Sequence, residues 1–326
     1  MSIAVGLSST PLLMRHAGNP ILTPQQWPYP VGAVFNPAAV RTADGRTLLL
    51  CRVEDRTGHS HLTAARSTSG LTGWQIDPSP TLATDPDAFP EELWGIEDPR
   101  ITWLPERNEF AVVYTSYGEH GPAVSLTLTE DFRSFRRVGN ILPPVDKDAA
   151  LFPKKVDGRW MMFHRPDTAD ERKHIWISFS PDLTHWGERA LLLPARRGGW
   201  WDANKIGLST PPIETRDGWL IIYHGVRETV SGSIYRLGLA LLDLDDPTQC
   251  LVRSTHWFMG PATAEERVGD VGNVVFPCGH TICDDGDTIR LYYGMADSTI
   301  GVASGSIKQM MEWLRNHAQS PSYGAE

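Results

Sequence analysis

The segment Gly95–Arg100, GIEDPR, sets two carboxylates and a guanidinium around a proline that fixes the local φ. Carboxyl groups are the raw material of general acid and base chemistry. Along a regular strand Glu97 and Asp98 point to opposite sides, so at most one of them faces a shared pocket. Asp98 precedes Pro99 as Asn36 precedes Pro37, and this parallel makes Asp98 the pocket residue. The alternative is a structural Asp that caps a turn or pairs with Arg100.

A second constellation is cationic: Lys147, Arg165 in FHRP, Lys205, and His224 in YHGV. If these converge they form a compact positive site suited to a small anion such as phosphate. If they do not, they are four separate solvated or ion-paired residues. A third group, RVEDRTGHSHL (52–62), carries His59 and His61 at a spacing that could serve a metal. No other His/Cys pair supports a metal, so we read it as a polar loop at a pocket rim and expect no metal and no organic cofactor. Trp94, Trp200, Trp201 and Tyr235 either stack on sugar faces or pack in the core.

These residues are scattered over the chain, so something must gather them. A short turn followed by an apolar run recurs five times: Asp44-Gly45 before RTLLLCR, Arg107-Asn108 before EFAVVYTSY, Asp157-Gly158 before RWMMFHR, Asp217-Gly218 before WLIIYHG, and Asp285-Gly286-Asp287 before TIRLYYG. Such turns between apolar runs signal hairpins. Each is preceded by a run with a proline (Pro37, Pro99, Pro153, Pro212, Pro277) and followed by a third run, such as HLTAARS or HIWISFS. The prolines lie 54–65 residues apart. Units of about 60 residues with three or four strands fit an all-β, five-bladed β-propeller, with a β-sandwich as the rival. We therefore expect one domain over residues 1–326. Only SIKQMMEWLRNHA (306–318) has helical spacing, with Ile307, Met310, Met311 and Leu314 on one face. In a propeller the innermost strands converge on the axis. Asn36, Asp98, Lys147, Asp148, Lys205 and Asn273, with Asp297, are then expected to share one funnel.

Composition narrows the function. Gly and Pro make up 54 of 326 residues without a period, which favours turn-rich β structure over collagen. A net charge of −9 argues against a nucleic-acid partner. No run of about 18 apolar residues exists, so no membrane span is expected. The mildly apolar start from Met1 to Leu13 is followed rather than preceded by Arg15, unlike a secretory signal. Four cysteines (Cys51, Cys250, Cys278, Cys283) make no disulfide framework, and reduced thiols in a cytoplasmic protein are expected.

Eight ordered motifs then carry a family resemblance: NPA (36–38), Arg52…Arg56 running on to AARS, GIEDPR, KDAALFP (147–153), FHRP (163–166), KIGLSTPPI…GWLIIYHGV (205–226), DVGNVVFPCG (270–279) and YYGMADSTIGVA (292–303). Over roughly residues 20–305 the chain resembles glycoside hydrolase family 130, the mannoside phosphorylases and related β-mannosidases. The resemblance implies a five-bladed propeller and inverting phosphorolysis of β-1,2- or β-1,4-linked manno-oligosaccharides to α-mannose 1-phosphate, with inorganic phosphate as co-substrate. It places Asp98 as the single catalytic acid, acting through a sugar hydroxyl. Asn36, Arg52 and Asp297 would hold the terminal mannosyl unit. Lys147, Arg165 and His224, with Lys205 beside them, would hold phosphate, and Tyr235 and Asn273 would meet the leaving sugar. A phosphorylase needs no base carboxylate, because its nucleophile is already anionic. Two residues depart from the pattern: Asp148 where Asn is expected, and Gly272 where Pro is usual. The other readings are a hydrolase with Asp148 or Glu228 as base, and a non-catalytic glycan-binding propeller. Assembly into a homo-oligomer also fits the resemblance.

Overall fold

The computed structural model describes residues 11–319. The first ten residues of the apolar start, and the end of the expected 1–326 domain, lie outside them.

The regular structure of the described chain is almost entirely antiparallel β. Strand β1 (Leu13–Arg15) is followed by β2 (Ala33–Arg41), β3 (Thr47–Glu54), β4 (Ser60–Ser67) and the short β5 (Gln75–Ile76). A second run holds β6 (Gly95–Leu104), β7 (Glu109–Gly118), β8 (Gly121–Thr129) and β9 (Arg136–Leu142). The third holds β10 (Asp146–Leu151), β11 (Trp160–Pro166), β12 (Ile175–Ser180) and β13 (Gly187–Leu193). The fourth comprises β14 (Lys205–Leu208), β15 (Ile213–Thr215), β16 (Gly218–Thr229), β17 (Gly232–Leu242) and β18 (Cys250–Ser254). After the single turn α1 (Ala264–Arg267), the fifth holds β19 (Val275–Ile282), β20 (Thr288–Met295) and β21 (Thr299–Ser306). The chain then enters helix α2 (Ile307–His317) and β22 (Ala318–Gln319).

The hairpins fall where the turn residues put them. At Asp157-Gly158 both residues take left-handed φ (48° and 76°), the twist a tight hairpin needs. Within each run the strands pair in sequence order, except that β14 and β15 lie end to end along β16 in the fourth, and β1 closes the fifth by pairing with β21. The first two runs are joined in one sheet only through a parallel bridge between Ser60 and Gly95.

Apolar side chains on both faces of these sheets bury against the neighbouring run, and the buried clusters succeed one another around a cycle. Leu48, Leu50 and Leu62 meet Ile96, Val112 and Tyr114. Val113, Leu126 and Leu128 meet Trp160 and Met162. Phe163 and Ile177 meet Trp219, Ile221 and Tyr223. Ile222, Leu237 and Leu239 meet Val275 and Leu291. Finally Tyr292, Ile300 and Val302 return to Val34, Leu49 and Cys51. Each run thus packs on two others, and the last packs on the first. Their leading strands β2, β6, β10, β14 and β19 each form the first edge of a run.

Helix α2 buries Ile307, Met310, Met311 and Leu314, the face read from the sequence, and Ser306 Oγ caps it by accepting the Gln309 N–H at 3.1 Å. Among the described residues no helix is long and apolar enough to cross a membrane.

Where the third and fourth runs meet, Asp202 is fully buried and Oδ2 accepts from Arg253 (2.6 Å), Arg196 (2.8 Å) and Tyr223 (3.1 Å). Removing this carboxylate strands a buried guanidinium without its charge partner. Asp202→Ala is expected to cost about 3–5 kcal/mol of stability, read from urea unfolding against the parent chain.

Candidate active site

Four of the five leading strands carry a register shift, at Phe35/Ala38, Glu97/Arg100, Lys147/Ala150 and Pro277/Gly279. A bulge turns a side chain that strand alternation would aim elsewhere. In the first three, the bulged residue has left-handed φ: Asn36 at 44°, Asp98 at 47° and Asp148 at 54°. Asn and Asp tolerate that conformation better than other side chains. The equivalent of Asn36 and Asp98 in the third repeat is therefore Asp148, with Lys147 one position before it.

The bulges bring Asn36 and Asp98 together. Asn36 Nδ2 donates to Asp98 Oδ1 at 2.9 Å, and Arg52 Nη1 reaches the same oxygen at 3.2 Å. Arg52 is the hub of this half of the site: Nη2 lies 3.2 Å from Glu97 Oε1, Nε donates to Ser60 Oγ at 3.0 Å, and the guanidinium sits 4.5 Å over the Phe35 ring. The expectation that only one of Glu97 and Asp98 faces the pocket is thus wrong. Alternation fails at the bulge, and both carboxylates share one guanidinium. Nor does Asp98 pair through its carboxylate with Arg100, which takes only the Asp98 main-chain carbonyl, at 3.2 Å.

Electrostatics separates the acids. Burial pushes the Asp98 carboxyl up, but Arg52, Lys147, the Asn36 amide and Arg100 together hold it below the usual carboxylate range. Asp297, in the turn between β20 and β21, is raised to about 7 by burial and then by the Asp98 charge, only partly offset by Arg52. Lys147 lies 3.8 Å from Glu97 and so faces this half of the site as well as the next.

The other half is built on Asp148. Its Oδ2 lies 3.2 Å from Arg165 Nη2 and 3.3 Å from His224 Nε2, and its Oδ1 lies 3.5 Å from Arg100 Nη2. Burial works against its charge, yet Arg165, His224 and Arg100 hold it well below the usual range. This carboxylate draws the Arg165 and Arg100 guanidiniums to one point. Gly207 makes room for it, since a Cβ there would fall 2.3 Å from Asp148 Oδ2 and 2.5 Å from His224 Cε1. His224 departs from the cationic reading: it is fully buried, and desolvation lowers it to about 4, so it is a neutral imidazole at pH 7. Lys205 forms no ion pair among the described residues; its ammonium lies 5.2 Å from the Tyr235 ring, and burial plus Arg165 and Lys147 lower its pKa.

Tyr235 also lies beside His224 (6.0 Å) and Phe276 (6.1 Å). Its main-chain N–H donates to the Asn273 carbonyl at 3.1 Å, which places exposed Asn273 at the rim. Gly272 packs against the Arg267 carbonyl, 2.8 Å from where a Cβ would stand, a contact the usual Pro would have to relieve. The structure therefore gathers the ten candidate residues into two adjoining halves. Sequence reasoning missed Glu97, Arg100 and Phe276 as members. Adjacency to Asp98 was a signal for Glu97; none existed for Phe276, whose ring lies 4.7 Å from His224.

The aromatic candidates divide. Trp94 and Trp200 are exposed, whereas Trp201 is buried and stacked on Tyr223 at 5.6 Å, which makes it core. His61 Nε2 bonds the Tyr29 hydroxyl (3.0 Å) and His59 Nδ1 the Thr57 hydroxyl (2.9 Å).

Comparison with known proteins bears on the same residues. A family model described as beta-1,4-mannooligosaccharide phosphorylase, glycoside hydrolase family 130, matches residues 16–316. The beta-1,4-mannooligosaccharide phosphorylase of Ruminococcus albus is 32% identical over 314 residues, 94% of this chain and 92% of that protein. The 1,2-beta-oligomannan phosphorylase of a Thermoanaerobacter species is 35% identical over 93% of this chain and 97% of its own. The structure of the β-1,2-mannobiose phosphorylase of Listeria innocua, in complex with β-1,2-mannobiose, superposes with a TM-score of 0.85 at 30% identity, covering 94% of this chain and 99% of that one. The match runs through every strand run and both halves of the site, and the chain belongs to glycoside hydrolase family 130.

Proposed function

We propose that this chain is an inverting β-mannoside phosphorylase, built as a single five-bladed propeller. The cyclic succession of five packed strand runs supports the blade count. The observation that carries the activity is the buried Asp98 carboxyl set beside the cations Arg52, Lys147 and Arg165, which suit an anionic nucleophile. The hydrolytic reading needs a base carboxylate, and neither candidate read from the sequence is placed to act as one. Asp148 is engaged by three partners and held ionised, and Glu228 is exposed on the β16–β17 hairpin.

In this reading Asn36, Arg52, Asp297 and Asp98 hold the terminal mannosyl unit of a manno-oligosaccharide. Lys147, Arg165 and Lys205 hold phosphate, neutral His224 donates to it, and Tyr235 and Asn273 meet the leaving sugar. A phosphate oxygen forms the new bond to the anomeric carbon as the glycosidic C–O bond breaks on the opposite face. The departing oxygen takes a proton from Asp98 relayed through a sugar hydroxyl, and the product is α-mannose 1-phosphate. Lys147 is one of the charges holding Asp98 ionised. Phosphate that occupies Lys147 removes that pull and adds a like charge, so Asp98 takes up a proton from water as the nucleophile binds and can then donate it. No metal or organic cofactor enters the reaction, and unpaired thiols, three of them buried, suit a reducing cytoplasm.

Incubation with β-1,2- and β-1,4-mannobiose is expected to release mannose 1-phosphate only when phosphate is present. Equal release of free mannose without phosphate overturns the reading. Asp98→Asn is expected to lower kcat by about 10²–10⁴-fold, the usual worth of a positioned acid. Asp297 supplies a pH test. Its raised pKa favours the protonated form on folding, so its contribution to stability is full below about pH 4 and is lost as pH rises to about 7. Asp297→Asn is therefore expected to raise Tm by a few degrees at pH 8, with the gain fading toward pH 4, while kcat/KM falls about tenfold.

A further inference from the structure

Asp146, His164 and Ser178 form a hydrogen-bonded chain across β10, β11 and β12. Asp146 Oδ2 lies 2.7 Å from His164 Nδ1, and His164 Nε2 lies 2.8 Å from Ser178 Oγ. All three are satisfied when Nδ1–H donates to the carboxylate and the Ser178 hydroxyl donates to Nε2. The register explains the meeting: His164 stands opposite Trp176, and Arg165 opposite Lys147, so Asp146 and Ser178 are each diagonal to the imidazole.

These are the residue types of a hydrolytic triad, but the arrangement has no access. Each member is 1% exposed or less, so Ser178 Oγ meets no substrate. The free end of the chain points instead at the anion half of the site. Asp146 Oδ1 accepts the main-chain N–H of Arg165 at 3.1 Å. Arg165 is thereby gripped at both ends, its backbone by Asp146 and its guanidinium by Asp148 at 3.2 Å. The grip is needed there because the bulge between Lys147 and Ala150 interrupts the β10–β11 ladder beside Arg165.

We propose that Asp146, His164 and Ser178 are positioning residues of the phosphate site, acting through Arg165 and the Lys147 opposite it. This rests on the phosphorylase reading and names the device that keeps its anion seat in place. A binding group must be held to about 0.5 Å to be effective, and a chain anchored on three strands supplies that constraint.

The test is steady-state phosphorolysis of mannobiose by the parent chain, Asp146→Asn and Ser178→Ala, with phosphate and mannoside varied separately. Asp146→Asn is expected to raise the phosphate KM about tenfold, the loss from one charge-assisted hydrogen bond, with the mannoside KM within about twofold. Ser178→Ala removes only the last link and keeps the packing, so a rise of about two- to fivefold in phosphate KM is expected. Ser178→Thr, which retains the hydroxyl, is expected to restore the parent value. If the variants change both KM values together, or leave the phosphate KM unchanged, the positioning role is overturned. Should Asp146→Asn not fold, Ser178→Ala and Ser178→Thr decide the matter. A parent chain that releases free mannose regardless of phosphate removes the phosphorylase reading itself, and this proposal with it.

Discussion

The site depends on one buried guanidinium. Arg100 is 1% exposed, and a charge so placed must have its N–H groups paired or it would cost several kcal/mol. Its partners come from three strand runs: the Ser209 carbonyl on Nε and the Leu208 carbonyl on Nη2, both at 2.8 Å, the Asp98 carbonyl on Nη1, and Asp148 Oδ1 at 3.5 Å. Two left-handed residues, Asp98 and Asp148, are tied to the same side chain, one by its main chain and one by its carboxylate. Their strained backbones are held by a partner that has nowhere else to go.

From that constraint the two halves of the site follow. Asp98 turns its carboxylate toward Asn36 and Arg52, and Asp148 turns its own toward Arg165 and His224. Every acid buried at the site except Asp297 is matched by a cation, and Asp297 is the one that keeps its proton up to about pH 7. The cations meet unequal fates. Arg165 is fixed by Asp148, Lys147 is loosely paired with Glu97, and Lys205 meets only an aromatic ring. An incoming anion therefore finds one rigid fork and two adaptable ammonium groups, the first for geometry and the others for charge.

Much of the fold was legible. Asp-Gly and Asn turns between apolar runs marked the hairpins, because a short turn is decided by the φ that its own residues tolerate. The face of α2 was legible for the same reason, since a 3.6-residue period is local. The repeat pointed to Asn36 and Asp98 as equivalents, and they meet at 2.9 Å. In the third repeat Lys147 and Asp148 were both expected at the funnel, and only the bulge shows that Asp148 holds the place equivalent to Asn36 and Asp98. A bulge is a mismatch between two strands, and neither strand carries it alone.

The amino-acid sequence by itself determined the order and type of the strands, the family, and most of the residues that line the site. Tertiary structure alone decided what those residues are chemically. That His224 is neutral, that Asp148 is a cation-gathering anchor, and that Glu97 and Asp98 share Arg52 all depend on contacts between residues 17 to 76 positions apart. Turns and periods act over a few residues, but burial and charge act through space, and only the closed packing of the strand runs sets those distances.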